Sequence, residues 1–386
     1  MTQDAPEAGG VDRRSLLQAT GAASALALAG CLTSSEEETE PESEPESQAA
    51  TEDSELNADL PYTSPPEIVD VDEQGGEVTL RSEYARHAPH PGENMGGPVE
   101  LPEVWAFAAD DGDPSVPAPI LRTTEGNDIE VTLDNSGSDH PHTLHFHGSQ
   151  KTWENDGVPS TTGVTVGPGE KHTYKIPANV PGTHFYHCHY QTQRHMEMGM
   201  YGIFRVDPEG YEPADREYFM TLGDWDSRLS RQMAGADVEF DMRARNPDVF
   251  TINGRVAPRT FHPEEGSPIV VSRGDTVRLH LVNGGYMSHP IHLHNHRFEQ
   301  IETDGGQIPE VARHEEDITN VAPGERHVIE FDADADPGIY PAHCHKVDHV
   351  MNGNVYPGGM LTGIIYEEAM DSDIFLELMD AAGYEP

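Results

Sequence analysis

Positive charge is scarce in this 386-residue chain: 23 Lys and Arg stand against 69 Asp and Glu, giving a net charge of −46 and a pI near 4.5. That balance excludes nucleic acid as a favoured partner, because its phosphates would be repelled. Apolar residues are also few, at 35%, a share that in ordinary buffer suggests partial disorder. The acid runs through the motif-bearing sequence as well as the tail. It therefore reads as a folded protein adapted to high salt, where screening relieves self-repulsion; the competing reading is an acidic patch for a cationic partner. Long hydrophobic runs are missing, and the stretch Ala22 to Ala29 is too short to span a bilayer. Helical periodicity is scarce before Asp371 to Ala382, where Ile374, Phe375, Leu376 and Leu378 predict a terminal helix packed on the body.

Cysteine is limited to three residues, each in a different setting. Cys31 closes Leu28-Ala-Gly-Cys31, behind the apolar run and Asp12-Arg13-Arg14-Ser-Leu-Leu17. This predicts a twin-arginine export signal with a lipobox over residues 1–31, leaving the mature chain lipid-anchored through Cys31 on the extracytoplasmic membrane face. Cleavage near Cys31 without lipid is the alternative. Residues 32–64, rich in Ser, Glu and Pro, read as a solvated acidic tether. Cys188 and Cys344 would suit a disulfide in an oxidising compartment, but each lies between two histidines.

Those histidines organise the rest. In His184-Phe-Tyr-His187-Cys188-His189, the period of two sends His187 and His189 to one face of a strand end and Cys188 to the other. His195 and Met200 follow, so a thiolate, an imidazole and a weak axial thioether supply three ligands of a blue-copper set. Upstream, His142-Thr-Leu-His145-Phe-His147 offers His142 to Cys188 on one face, and His145 and His147 to His187 and His189 on the other. One complete mononuclear site and four outward imidazoles result.

The pattern then recurs. His289-Pro-Ile-His292-Leu-His294 and His343-Cys344-His345 repeat it with the same parity, and Val166-Gly-Pro-Gly-Glu170 parallels Val321-Ala-Pro-Gly-Glu325. The chain reads as a tandem duplication of one β-domain, with boundaries predicted at 65–208 and 209–386. His289, Cys344, His349 and Met360 make a second blue-site candidate, though a long insertion, Val350 to Gly359, separates the last two and makes Met351 a rival.

From about Glu77 to Tyr366 the chain resembles the two-domain multicopper oxidases, the laccase-like relatives of copper nitrite reductase. The resemblance implies an all-β fold of two tandem cupredoxin-type Greek-key β-barrels. It implies copper as cofactor, with His145, His147, His187, His189, His292, His294, His343 and His345 as ligands of a trinuclear type 2/type 3 cluster. It further implies one-electron oxidation of a small reducing substrate, phenol-like or a metal ion, coupled to reduction of dioxygen to water. Asp156, in Trp153-Glu-Asn-Asp156-Gly157, matches the family's acidic turn that relays protons, although Asp-Gly is also ordinary turn chemistry. Relatives of this architecture close as homotrimers with clusters between subunits. Nitrite reduction is an alternative, but that family keeps an aspartate where His145 stands and has no need of His343 and His345. Copper storage or simple electron transfer is a third reading. Met95, Met196, Met198 and Met351 either guide Cu(I) or fill gaps in packing. His87 and His90, in a Pro/Gly-rich stretch, read as exposed surface histidines in preference to lining a substrate entrance.

Overall fold

The computed structural model describes residues 56–90 and 99–384. The export leader, Cys31, the tether up to residue 55 and Met95 lie outside the described residues. Among the described residues no helix is long and apolar enough to cross a membrane.

Alternation builds the sheets. In Asp128–Gly137, Ile129, Val131 and Leu133 point inward while Glu130 and Thr132 point away. Val277, Leu279 and Leu281 do the same in Thr276–Asn283. The first half of the chain forms a five-stranded sheet ordered Ile68–Asp70, Ala118–Thr124, Tyr201–Asp207, Gly182–His187 and His145–His147. This sheet faces a four-stranded one ordered Val99–Ala109, Glu77–His90, Asp128–Gly137 and Lys171–Pro177. The second half repeats the plan, with Ile269–Val271, Leu361–Tyr366, Ile339–Cys344, His289–Leu293 and Ile318–Val321 in one sheet, and a larger sheet around Arg216–Trp225, Thr276–Asn283 and Arg326–Asp332. Parallel pairs recur at matching places: Glu77–His90 with Asp128–Gly137, and Arg216–Trp225 with Thr276–Asn283. A tight hairpin cannot join parallel strands, so both halves need the same long crossovers.

The repeated motifs make repeated hydrogen bonds. Asn135 Nδ2 donates to the Val166 carbonyl at 2.9 Å, as Asn283 Nδ2 does to that of Val321 at 2.8 Å. Glu170 Oε2 accepts from Gly167 N, and Glu325 Oε2 from Ala322 N, both at 2.8 Å. Each half has its own core, one around Phe107, Phe146 and Tyr186, the other around Leu279, Phe298 and Tyr366.

Apolar and ionic contacts join the halves. Ile120, Phe185 and Ile203 pack on Phe219 and Val282. Beneath them Arg205, with no exposed side-chain surface, donates through Nη1 to Glu302 at 3.0 Å and through Nε to Asp207 at 2.8 Å. Between Trp225 and Val249, which pair directly, the chain makes an excursion that packs Met233, Phe240 and Met242 onto the first core.

Two expectations need correction. His87 and His90 are buried on the strand Glu77–His90, which continues through Pro89 because bulges near His87 re-register it against Val99–Ala109. The terminal helix forms over Asp373–Ala381, but Ile374 and Leu376 are exposed; Phe375, Leu378 and Met379, at i, i+3 and i+4, make the packed face.

Candidate metal centres

At the first centre, His142, Cys188 and His195 converge in a fully buried pocket. Cys188 Sγ lies 3.2 Å from His195 Nδ1 and 3.8 Å from His142 Nδ1, and the two Nδ1 atoms are 3.1 Å apart. His142 reaches the pocket from a bridge to Val166, Cys188 from the end of Gly182–His187, and His195 from the short helix Thr192–Glu197. Met200, also buried, is clamped by backbone: its N–H donates to the His195 carbonyl at 3.1 Å, and its carbonyl accepts from Cys188 N at 3.0 Å. Burial pushes His195 down to about 2 and His142 to about 3, so both imidazoles are neutral lone-pair donors. Burial also pushes the Cys188 thiol up to about 11. Two neutral imidazoles and one thiol aimed at a common point suit a soft or borderline cation that releases the thiol proton on binding.

The second centre repeats this geometry. Cys344 Sγ lies 3.5 Å from His349 Nδ1 and 3.9 Å from His289 Nδ1, with 3.1 Å between the two nitrogens. The backbone holds the two candidate methionines differently. Met360 N donates to the His349 carbonyl at 2.8 Å, and Cys344 N to that of Met360 at 3.1 Å, which is the clamp seen at Met200. Met351 is half-exposed at the start of the inserted loop. Cys188 and Cys344 are both free and sit in different cores, so the disulfide alternative is absent.

On the reverse faces the remaining imidazoles form two quartets. In the first, the His145 ring centroid is 5.3 Å from those of His187 and His189, and His147 is 5.9 Å from His145. In the second, His292 and His294 are 4.8 Å apart, and His343 is 5.7 Å from His345. His145 and His292 each donate Nδ1–H at 2.7 Å to the carbonyls of Asp156 and Asp317, and His187 and His343 donate at 2.9 Å to those of Cys188 and Cys344. Tying down Nδ1–H leaves Nε2 as the outward lone pair on all four rings. His294 and His343 bring their Nε2 atoms to 3.0 Å from each other. Among the described residues no hydrogen bond or ring contact joins one quartet to the other. His147 instead lies against Gly324 and Arg326.

Asp156 sits beside the first quartet. Its carboxylate Oδ1 is 3.3 Å from His145 Nδ1 and 3.1 Å from the ammonium of Lys151, whose side chain is almost wholly buried. Met198 is a core side chain and Met196 packs between the halves, which favours gap-filling for both. Sequence reasoning missed four neighbours of the centres: Asp224 on His289, Ser138 on His142, Phe250 stacked on His349 at 3.9 Å, and Trp105 edge-on to His195 at 4.8 Å. Ser138, four residues before His142, had a local signal; the others come from distant strands.

Against this geometry, the multicopper oxidase family models match residues 111–210 and 235–357, which bracket the candidate ligands of both halves up to His349. The copper-containing nitrite reductase of Neisseria meningitidis is 28% identical over 72% of this chain and 68% of its own length. Laccase-2 of Thanatephorus cucumeris is 28% identical over 62% of this chain, which spans 42% of that protein. Among solved structures, the blue copper oxidase of Nitrosomonas europaea superposes with a TM-score of 0.66 at 32% identity, covering 78% of this chain and 89% of that one. With both halves matched by the family models and the curled sheets shared with these neighbours, the chain is a cupredoxin-fold copper oxidoreductase that belongs to the multicopper oxidase family.

Proposed function

We propose that the chain couples one-electron oxidation of a small reductant, a phenol or a metal ion, to reduction of dioxygen to water. The observation that carries this reading is the completeness of both quartets, with His145 where nitrite reductases are expected to keep an aspartate. Copper held at these donors would supply one-electron exchange at the thiolate centres and dioxygen binding at the imidazole faces. The chain's own contribution is positional. Cys188 is covalently continuous with His187 and His189, and Cys344 with His343 and His345, so each thiolate centre shares one backbone segment with its quartet. The carbonyls of Asp156, Asp317, Cys188 and Cys344 hold four rings in the tautomer that leaves Nε2 free. Each quartet is read as half of a cluster, and among the described residues no hydrogen bond or ring contact joins the two, so we assign the complete site to a closed ring of three subunits in which one copy's first quartet faces the next copy's second.

The nitrite reductase relative keeps a second reading in view. Oxygen uptake measured with a phenol, Cu(I), Fe(II) and Mn(II), beside nitrite consumption under argon, separates them. Robust nitrite turnover with no oxygen uptake would reject the oxidase. Copper content discriminates further: one ion per thiolate centre plus three per cluster is expected, whereas thiolate-bound copper alone would indicate an electron carrier.

Asp156 is assigned to proton delivery at the first quartet, on the strength of its carboxylate lying beside His145 and Lys151. Asp156→Asn keeps the turn and removes the base. Oxygen turnover should fall on the order of a hundredfold while copper content is retained; an unchanged rate across the pH range would leave Asp156 as a turn residue. Export and lipidation at Cys31 remain part of the proposal, checked by the mass of the mature N-terminal peptide.

A further inference from the structure

The two thiolate centres share a ligand set and differ in what surrounds it. At the first, His142 Nε2 meets the Ser138 hydroxyl at 2.9 Å, and the Thr143 N–H donates to Cys188 Sγ at 3.4 Å. At the second, His289 Nε2 donates to Asp224 Oδ2 at 3.0 Å, with neither side chain exposed. The residue after that histidine is Pro290, which has no N–H to offer the sulfur. His142 pairs with Val166 and His289 with Val321, the matching valines of the duplicated motif, so Thr143 and Pro290 are structural counterparts.

Both differences act in the same direction. A carboxylate on the far nitrogen of an imidazole raises the basicity of the near one and places negative charge close to the bound ion, which favours the more highly charged, oxidised ion. Asp224 is held for this by a second bond from Met287 N at 2.9 Å, and its other oxygen is buried without a partner. A hydrogen bond to the thiolate sulfur withdraws electron density and favours the reduced ion; the Cys344 sulfur keeps a backbone bond from Lys346 but lacks the one that Thr143 gives Cys188, and having fewer such bonds favours the oxidised ion. Charges nearby do not reverse this order. The Lys346 ammonium, 3.9 Å from Met287 Sδ, is only partly buried and open to screening, and Glu197, on the first centre's segment, is paired with Arg245 at 3.0 Å.

We propose, resting on the reading of both centres as copper sites, that the second centre has the lower reduction potential of the two, and that Asp224 and Pro290 are the positioning residues that set it. The couple concerned adds one electron from an external one-electron donor to the divalent ion, giving the monovalent ion. A donor of intermediate potential therefore reduces the first centre and leaves the second oxidised, so the duplicated centres are not interchangeable points of electron entry.

The test is a spectroelectrochemical titration of the full-length, copper-loaded protein, following the thiolate-to-copper charge-transfer band. Cys188→Ser isolates the second centre and Cys344→Ser the first. The isolated second centre should titrate below the first. Asp224→Asn, added to Cys188→Ser, should raise that midpoint by about 59 mV or more, a tenfold change in the oxidised-to-reduced ratio of a one-electron couple. Pro290→Thr should move it in the same direction without touching Asp224, and so serves if the asparagine variant fails to fold. Ser138→Asp in the Cys344→Ser protein should lower the first midpoint. Equal midpoints for the two centres, or a second midpoint that neither Asp224→Asn nor Pro290→Thr moves, would overturn the proposal. A Cys188→Ser protein with no charge-transfer band would overturn the two-copper reading itself, and the proposal with it.

Discussion

Co-expressing His147→Ala chains with His294→Ala chains should restore about a quarter of the wild-type oxygen uptake, although either variant alone should be inactive. The expectation follows from the separation of the two quartets. His147 and His294 belong to opposite halves, no contact among the described residues joins those faces, and the first quartet's neighbour within its own chain is the Gly324–Arg326 turn. If each cluster is completed by the next subunit, an intact site needs one chain with a sound first face beside one with a sound second face. Random assembly gives that arrangement at about one interface in four. Purified co-expressed protein can be assayed directly beside each homogeneous variant. No recovery, together with light scattering that finds an active monomer, would place both faces of each cluster in one chain.

The second large effect is on stability. Glu302→Ala should destabilise the protein by about 3–5 kcal/mol, because it breaks a buried ion pair and leaves the Arg205 guanidinium, which has no access to water, with Asp207 as its remaining carboxylate partner. Arg205 is wholly buried, and Glu302 is both its ion-pair partner and the acceptor for the Thr183 N–H at 3.2 Å. Thr183 in turn shares its hydroxyl with His280 Nδ1 at 2.7 Å, so one substitution disturbs strands of both halves. Arg243→Ala is the control, since its pair with Asp241 is largely exposed and should contribute less than about 1 kcal/mol. Urea denaturation of the two variants at equal ionic strength compares them; equal losses would mean that the junction does not depend on this pair. Replacing Arg205 and Glu302 together by Met and Leu should cost much less than Glu302→Ala, because Asp207, the charge that stays, keeps its pair with Arg122 at 2.6 Å.

The sequence made the convergence legible for a local reason. Strand parity is a property of neighbouring residues, so His145, His147, Cys188 and the histidines beside it declare their faces within a few positions. Regular strands contribute less than the parity argument assumed. Gly182–His187 ends before Cys188, and His142 is held by a lone bridge to Val166. Asp224 lies near the end of the strand Arg216–Trp225, 65 residues before His289, with nothing in its neighbours to mark it, and Phe250 is equally silent about His349. The replacement of Thr143 by Pro290 was open to view once the two repeats were aligned, but its meaning depends on a sulfur atom that only the fold brings near. His87 and His90 misled because proline and glycine around them suggested a loop, whereas the chain stays extended under a paired neighbour.

Between His195 and Met200 lie four residues, and between His349 and Met360 lie ten, yet both methionines are held by the same pair of backbone bonds. The extra length is expelled and sealed at its base, where Gly358 N meets the Val350 carbonyl at 2.9 Å, Gly359 N meets Asn352 Oδ1 at 2.8 Å, and Asn352 Nδ2 meets the Ala257 carbonyl at 2.7 Å. Beyond it the tip is a turn closed on Asn352, whose N–H meets the Val355 carbonyl at 3.0 Å and whose carbonyl accepts from Val355 N at 2.9 Å, with Val355 and Tyr356 exposed. Loop closure grows only slowly more costly with length, so this neck is a natural insertion point. A foreign peptide or affinity tag grafted between Asn354 and Val355 would be displayed on the surface while the clamp behind it kept its register.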